Sequence, residues 1–132
     1  NLLDTIDRAT ESLLIAGYML SSPEISERII SKCSKIEVII HLDEKQTFGD
    51  ERATLVYHSL KKAGAVVNLH SDTIEGSMHA KVIISDNKEA IVGSANLTYS
   101  GADRNLEIGI RIRGPSVKIL RNTVTLALGD IS

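Results

Sequence analysis

The stretch that decides the fold runs from His79 to Asn96 and reads HAKVIISDNKEAIVGSAN. Two short runs rich in Val and Ile flank the turn-prone triplet Asp-Asn-Lys, which is typical of a β-hairpin. Side chains two positions apart on a strand share a face. The hairpin therefore predicts that His79 and Lys81, at the start of its first strand, meet Ser94 and Asn96, at the end of its second.

This set of side chains suits a phosphate group. Lys81 supplies positive charge, Ser94 and Asn96 supply neutral donors, and His79 can attack or carry a proton. Gly93 lets the backbone come close to a ligand. Taken singly, each residue has an ordinary structural explanation, since a lone histidine is more often a core residue and Gly, Ser and Asn are common in turns. The combination at this spacing favours a functional site.

The same stretch resembles the signature of the phospholipase D superfamily, which is His-x-Lys, four residues, Asp, six residues and Gly-Ser-x-Asn. Six residues match it without a gap: His79, Lys81, Asp86, Gly93, Ser94 and Asn96. The chain is most similar to the short, single-motif, nuclease-type members, which carry a glutamate on the following strand. Glu107 stands in that place.

The resemblance implies a role for each of these residues. His79 is the expected nucleophile, forming a phosphohistidine intermediate that water hydrolyses. Lys81, Ser94 and Asn96 would bind the phosphoryl oxygens, and Glu107 would orient the imidazole. Asp86 is expected to be structural, because a straight strand would put it about 20 Å from His79. No cofactor and no metal are expected, since the motif has no cluster of metal-ligating side chains.

The 132 residues, 42% of them hydrophobic, fit a single globular domain over residues 1–132. No apolar run approaches the roughly 20 residues of a membrane span, and the start lacks a signal-peptide pattern. The first residue is Asn1 rather than Met, which is typical of a processed chain or of a piece excised from a longer one. The lone Cys33 excludes an internal disulfide, and a cytoplasmic location is the expectation.

The net charge of −2 excludes a bulk polycation, yet five basic residues follow position 103. These are Arg104, Arg111, Arg113, Lys118 and Arg121. They are explained equally well by a phosphate-binding patch near the site and by an ordinary solvated surface. The other three histidines, His41, His58 and His70, are expected to be non-catalytic.

The order of elements predicts an α/β/α sandwich, with a mixed, mostly parallel β-sheet flanked by helices on both faces. Helical spacing of apolar residues opens the chain, and strands then alternate with helices as far as residue 69, which implies parallel pairing. Residues 43–50 are expected to be a polar loop. The hairpin, a half-polar strand over residues 106–113 and a closing helix from Val117 to Leu128 complete the fold.

The sequence therefore favours a metal-independent phosphodiesterase, most readily an endonuclease acting on DNA or RNA. One motif supplies one histidine, whereas the chemistry needs both a nucleophile and an acid, so a homodimer with a shared site is expected. Two alternatives stay open. One is a phospholipid hydrolase or transferase of the phospholipase D type, and the other is a non-catalytic nucleic-acid-binding module.

Overall fold

A computed structural model of the chain describes residues 2–71, 81–93 and 109–129. In these ranges the chain forms six strands and five helices. The helices are α1 (Leu2–Asp7), α2 (Pro23–Lys32), α3 (Glu44–Phe48), α4 (Glu51–Ala63) and α5 (Ser116–Leu128). The strands are β1 (Ser12–Ala16), β2 (Glu37–Asp43), β3 (Val66–His70), β4 (Val82–Ser85), β5 (Glu89–Gly93) and β6 (Gly109–Arg113).

The described strands form one sheet in the order β3-β2-β1-β4-β5-β6. The pairs β1–β2 and β2–β3 are parallel, whereas β1–β4, β4–β5 and β5–β6 are antiparallel. Four strands, β1, β2, β3 and β5, consequently run in the same direction. The predicted mixed sheet, with parallel pairing in the first half and a hairpin in the second, is confirmed.

Alternating side chains of the central strands divide the core into two layers. Leu13 and Ile15 of β1 pack in a cluster with residues of α1, α2 and α4, such as Ile29. Leu14 and Ala16 face the other way and join a cluster that contains Val117 and Val124 of α5. Helices therefore cover both faces of the sheet, as the sequence predicts.

Local capping explains where two of the helices begin and end. The Ile25 N–H donates to Ser22 Oγ (3.3 Å) at the start of α2, and Pro23 fits the first helical position. Helix α4 begins with the Ala53 N–H donating to Asp50 Oδ2 (2.9 Å), and it ends at Gly64 with a φ of 108°.

The prediction of a polar loop over residues 43–50 is wrong for its first part. The Gln46 N–H donates to Asp43 Oδ2 (2.9 Å), so that Asp43, the last residue of β2, also caps α3. A single capped turn of five residues has too little apolar periodicity to be seen in the sequence.

Candidate active site

The hairpin closes at the residues where the sequence places the motif. Val82 of β4 pairs with Val92 of β5, and the Gly93 N–H donates to the Lys81 carbonyl (3.1 Å). The predicted hairpin is thus confirmed. His79, two residues before Lys81, lies outside the described residues, as do Ser94, Asn96 and Glu107. Their roles stay predictions.

The same edge of the sheet collects the carboxyl ends of the three parallel strands. We call it the motif edge, and it comprises Lys81, Gly93 and the last residues of β1, β2 and β3. Ala16 of β1 pairs with Val82 on one side and with His41 of β2 on the other. Asp43 and His70, which are register partners, end β2 and β3 at this edge.

A polar cluster, buried on β2 and half-buried on β3, lies at the motif edge. His41 Nδ1 lies 2.8 Å from His70 Nε2, so one ring donates a hydrogen bond and the other accepts it. His41 and Asp43 are each only 1% exposed. Asp43 Oδ1 and Asn68 Nδ2 are buried without a hydrogen-bond partner among the described residues. We call His41, Asp43, Asn68 and His70 the histidine cluster.

Burial and a neighbouring charge act in opposite directions on His70. Desolvation lowers the pKa of His70, and the carboxylate of Asp43 raises it by a smaller amount, so the pKa lies below its usual value.

Asp86 lies at the opposite edge, in the hairpin turn that we call the turn edge. Its carboxylate accepts hydrogen bonds from the backbone N–H groups of Thr10 (2.9 Å), Glu11 (2.7 Å) and Ser12 (3.0 Å), and from the Thr10 hydroxyl (3.2 Å). Asp86 and Asn87 have φ values of 56° and 54°, a conformation that Asp and Asn tolerate better than most residues. This carboxylate joins the hairpin tip to the start of β1.

The hydrogen bonds also change the acidity of Asp86. Partial burial raises the pKa of Asp86, but the backbone N–H groups of Ser12, Thr10 and Glu11 together lower it by more. Its pKa consequently lies below the ordinary value, and its charge is used in binding these N–H groups.

Three of the basic residues near the end of the chain lie toward the turn edge and not beside Lys81. Arg113 pairs with Glu89 (3.5 Å), and Arg121 lies near Glu37 (3.9 Å) at the start of β2. Lys118 lines a depression next to the hairpin turn. Arg104 is outside the described residues. Of the two explanations that the sequence left open, an ordinary solvated surface fits these three residues better.

The histidine cluster was not expected from the sequence. A signal was nevertheless present, because polar residues stand two apart on both strands, at positions 41 and 43 and at positions 68 and 70. Two positions apart means the same face of a strand. Only the register between β2 and β3 brings the two pairs together.

The described part of the chain offers no group of three or more His, Cys, Asp or Glu side chains arranged to hold a metal ion. None of its helices combines the length and the apolar character that crossing a bilayer requires.

These features define an α/β/α protein whose hairpin closes at Lys81 and Gly93, at one edge of the sheet. The family described as "Cardiolipin synthase, PLD-like domain" matches residues 2–124. The chain is 31% identical over 124 residues to the DISARM protein DrmC of Bacillus paralicheniformis, covering 92% of this chain and 52% of DrmC. It is 36% identical over 106 residues to a phospholipase D of Rickettsia felis, covering 77% of this chain and 49% of that protein.

A solved structure has the same fold. Nuc from Salmonella typhimurium, a phospholipase D family member, superposes with a TM-score of 0.86 at 22% identity, covering 96% of this chain and 83% of Nuc. The chain therefore belongs to the phospholipase D-like family, a family of phosphodiesterases. It spans about half the length of the curated relatives described above.

Proposed function

We propose that this protein is a metal-independent phosphodiesterase that cleaves DNA or RNA through a phosphohistidine intermediate. The observation that carries the proposal is the hairpin closure at Lys81 and Gly93, within a chain that matches the family over residues 2–124. His79 precedes Lys81 by two residues and Ser94 directly follows Gly93 in the sequence, so this closure supports a shared site for the two ends of the motif.

The chemistry takes two displacements. His79 attacks the phosphorus, a P–N bond forms, and the P–O bond to the leaving nucleoside oxygen breaks while an acid protonates that oxygen. Water then attacks the phosphorus, the group that served as acid accepts a proton from that water, a new P–O bond forms, and the P–N bond breaks. Lys81, Ser94 and Asn96 neutralise and hold the non-bridging oxygens during both steps, and Glu107 orients the imidazole.

The acid comes from a second copy of the chain in this proposal. The sequence has one His-x-Lys motif, and His41 is too deeply buried, at 1% exposed, to contact a polymer substrate. An isologous two-fold interface brings each residue near the axis to its own copy. Two His79 side chains would then serve one phosphate, one as nucleophile and the other as acid.

A phospholipid substrate is the second candidate. The family description names cardiolipin synthase, and the Rickettsia felis relative is called a phospholipase D. Both substrate classes offer the same phosphodiester to the site. A lipid would also need an apolar surface for its chains, and the nuclease-type resemblance of the short single motif makes nucleic acid the first choice.

The function is tested with one substrate panel in the presence of excess EDTA. Single-stranded DNA, duplex DNA, RNA and phosphatidylglycerol vesicles are incubated with the wild-type protein. Cleavage of nucleic acid in chelator supports the proposal. Cleavage of lipid alone would transfer the assignment to the second candidate, and binding of nucleic acid without cleavage would indicate a binding module.

Sharing of the site is tested by mixing subunits. Purified heterodimers of wild-type and His79→Ala chains should retain almost no turnover, because each shared site lacks one of its two histidines. Heterodimers with half of the wild-type rate, or a fully active monomer in light scattering, would contradict the shared site.

A further inference from the structure

The proposed phosphodiesterase mechanism assigns no role to the residues of the histidine cluster. His41 and Asp43 lie on β2, and their register partners, Asn68 and His70, lie on β3. Four polar side chains thus occupy neighbouring positions on one face of a parallel pair in which β2 is buried and β3 is half-buried. A buried polar group without a partner costs about 1–3 kcal/mol, so a fold rarely keeps such groups without a reason.

The hydrogen bond between the two rings depends on their protonation. A neutral ring has one N–H and one bare nitrogen, so two neutral rings, or one neutral and one charged ring, can form the 2.8 Å contact between His41 Nδ1 and His70 Nε2. When both rings are charged, both facing nitrogens carry hydrogen and the bond cannot form.

Asp43 provides an alternative partner for His70. It is the direct register neighbour of His70, and neighbouring strands lie about 4.8 Å apart. Its Oδ2 accepts from the Gln46 N–H, whereas its Oδ1 has no hydrogen-bond partner among the described residues. A charged His70 would consequently find an unoccupied carboxylate oxygen beside it.

Asp43 is the charged group that shifts the pKa of His70 among the described residues. Glu44 and Lys45 on α3 are exposed to solvent. On α5, which covers this face of the sheet, Arg121 lies near Glu37 at the opposite end of β2, and Lys118 lines the depression at the hairpin turn. Lys81 lies at the same edge, two strands or roughly 10 Å from His41.

We propose that His41 and His70 form a proton-sensitive clasp that holds the end of β3 to β2 at neutral pH and opens in acid once both rings are charged, when His70 turns to Asp43. The clasp makes both histidines positioning residues for the motif edge. The chain leaves β3 at His70, and the sequence reaches His79 nine residues later. The positioning role rests on the proposed function, whereas the clasp itself does not.

The direction of the pH effect follows from the acidity of His70. Its pKa in the folded chain is lowered, first by desolvation, so the unfolded chain binds more protons below the ordinary histidine value of about 6.5. The clasp therefore contributes fully to the free energy of unfolding above the ordinary histidine pKa. That contribution is lost as the pH falls from this value toward the lower, folded-state pKa of His70.

Four proteins test the clasp: the wild type, His70→Gln, His70→Ala and His58→Gln. Glutamine places an uncharged amide where Nε2 stands, alanine removes the bond at every pH, and His58 is a matched, exposed histidine on α4. Melting temperature is measured between pH 7.5 and pH 5. The wild type and His58→Gln should lose a few degrees more than His70→Gln over this range. An equal loss in wild type and His70→Gln would overturn the clasp.

Nuclear magnetic resonance tests the hydrogen bond between the two rings, and kinetics tests their positioning role. A scalar coupling between His41 Nδ1 and His70 Nε2 should be present at pH 7.5 and absent once both rings are charged. Its absence at pH 7.5 would overturn the clasp.

At pH 7.5, kcat/KM of His70→Ala should fall roughly tenfold, with rescue in His70→Gln and no change in His58→Gln. An unchanged kcat/KM in His70→Ala would overturn the positioning role. An inactive wild type would refute the proposed function, while melting and coupling would still decide the clasp.

Discussion

The two edges of the sheet satisfy their buried and half-buried polar groups in opposite ways. At the turn edge, both oxygens of Asp86 accept several hydrogen bonds from residues 10–12. At the motif edge, Asp43 Oδ1 and Asn68 Nδ2 lack partners among the described residues. The satisfied carboxylate of Asp86 is typical of a structural role. Buried polar atoms without a hydrogen-bond partner, as at the motif edge, are more typical of a functional site.

Replacing one lysine at each edge should give the largest difference in activity between the two edges. Lys81→Ala should lower kcat/KM for phosphodiester cleavage by about 10²–10³-fold, because it removes the positive charge that stabilises the transition state. Lys88→Ala, an exposed lysine in the hairpin turn, is the matched control and should leave the rate unchanged. Initial rates in EDTA provide the measurement. Equal losses in the two variants would mean that the edges do not differ in function.

Asp86→Asn should separate stability from activity. The substitution keeps the shape of the side chain but removes the charge that four donors bind, so the free energy of unfolding should fall by roughly 2 kcal/mol. Urea denaturation measures this loss, and Asp7→Asn, whose carboxylate pairs with exposed Arg28, serves as control. The rate per folded molecule should be unchanged. A variant with full stability and impaired turnover would place Asp86 in the catalytic machinery.

The same variant predicts a pH dependence. The pKa of Asp86 is lowered in the folded chain, so its stabilising contribution is present above the ordinary aspartate pKa of about 3.9. That contribution is lost as the pH falls through the lower, folded-state pKa. The stability difference between wild type and Asp86→Asn should therefore shrink in acid, below about pH 4. A difference that grows on acidification would contradict the assignment.

Arg113→Ala should have the smallest effect. Its side chain is 64% exposed, and its Nε lies 3.5 Å from Glu89 Oε2, so the pair contributes at most about 1 kcal/mol. Affinity for single-stranded DNA, measured by fluorescence anisotropy, should stay within about twofold of wild type. A large loss of affinity would show that the substrate path reaches the turn edge.

Local patterns in the sequence were sufficient for most of the fold. The Asp-Asn-Lys triplet between two apolar runs predicts the hairpin, and Ser22-Pro23 predicts the start of α2. The short helix α3 was missed because its cap, Asp43, is also the last residue of a strand. The contact between His41 and His70 depends on the register of β2 against β3, which spacing along the chain does not specify.

The candidate site was predicted from one motif, and the structure describes only part of it. Lys81, Asp86 and Gly93 lie where the hairpin should put them, whereas His79, Ser94, Asn96 and Glu107 lie outside the described residues. The positions of Arg113 and Arg121 depend on sheet order and could not be read from charge alone. The sequence shows how many basic residues there are, but their positions relative to Lys81 depend on the fold.

The stereochemical course at phosphorus tests the central claim most directly. A phosphorothioate diester of defined configuration is cleaved in ¹⁸O-water with EDTA present, and the configuration of the product is determined. Two successive in-line displacements, first by His79 and then by water, predict net retention. Net inversion would mean a single attack by water and would contradict the phosphohistidine intermediate.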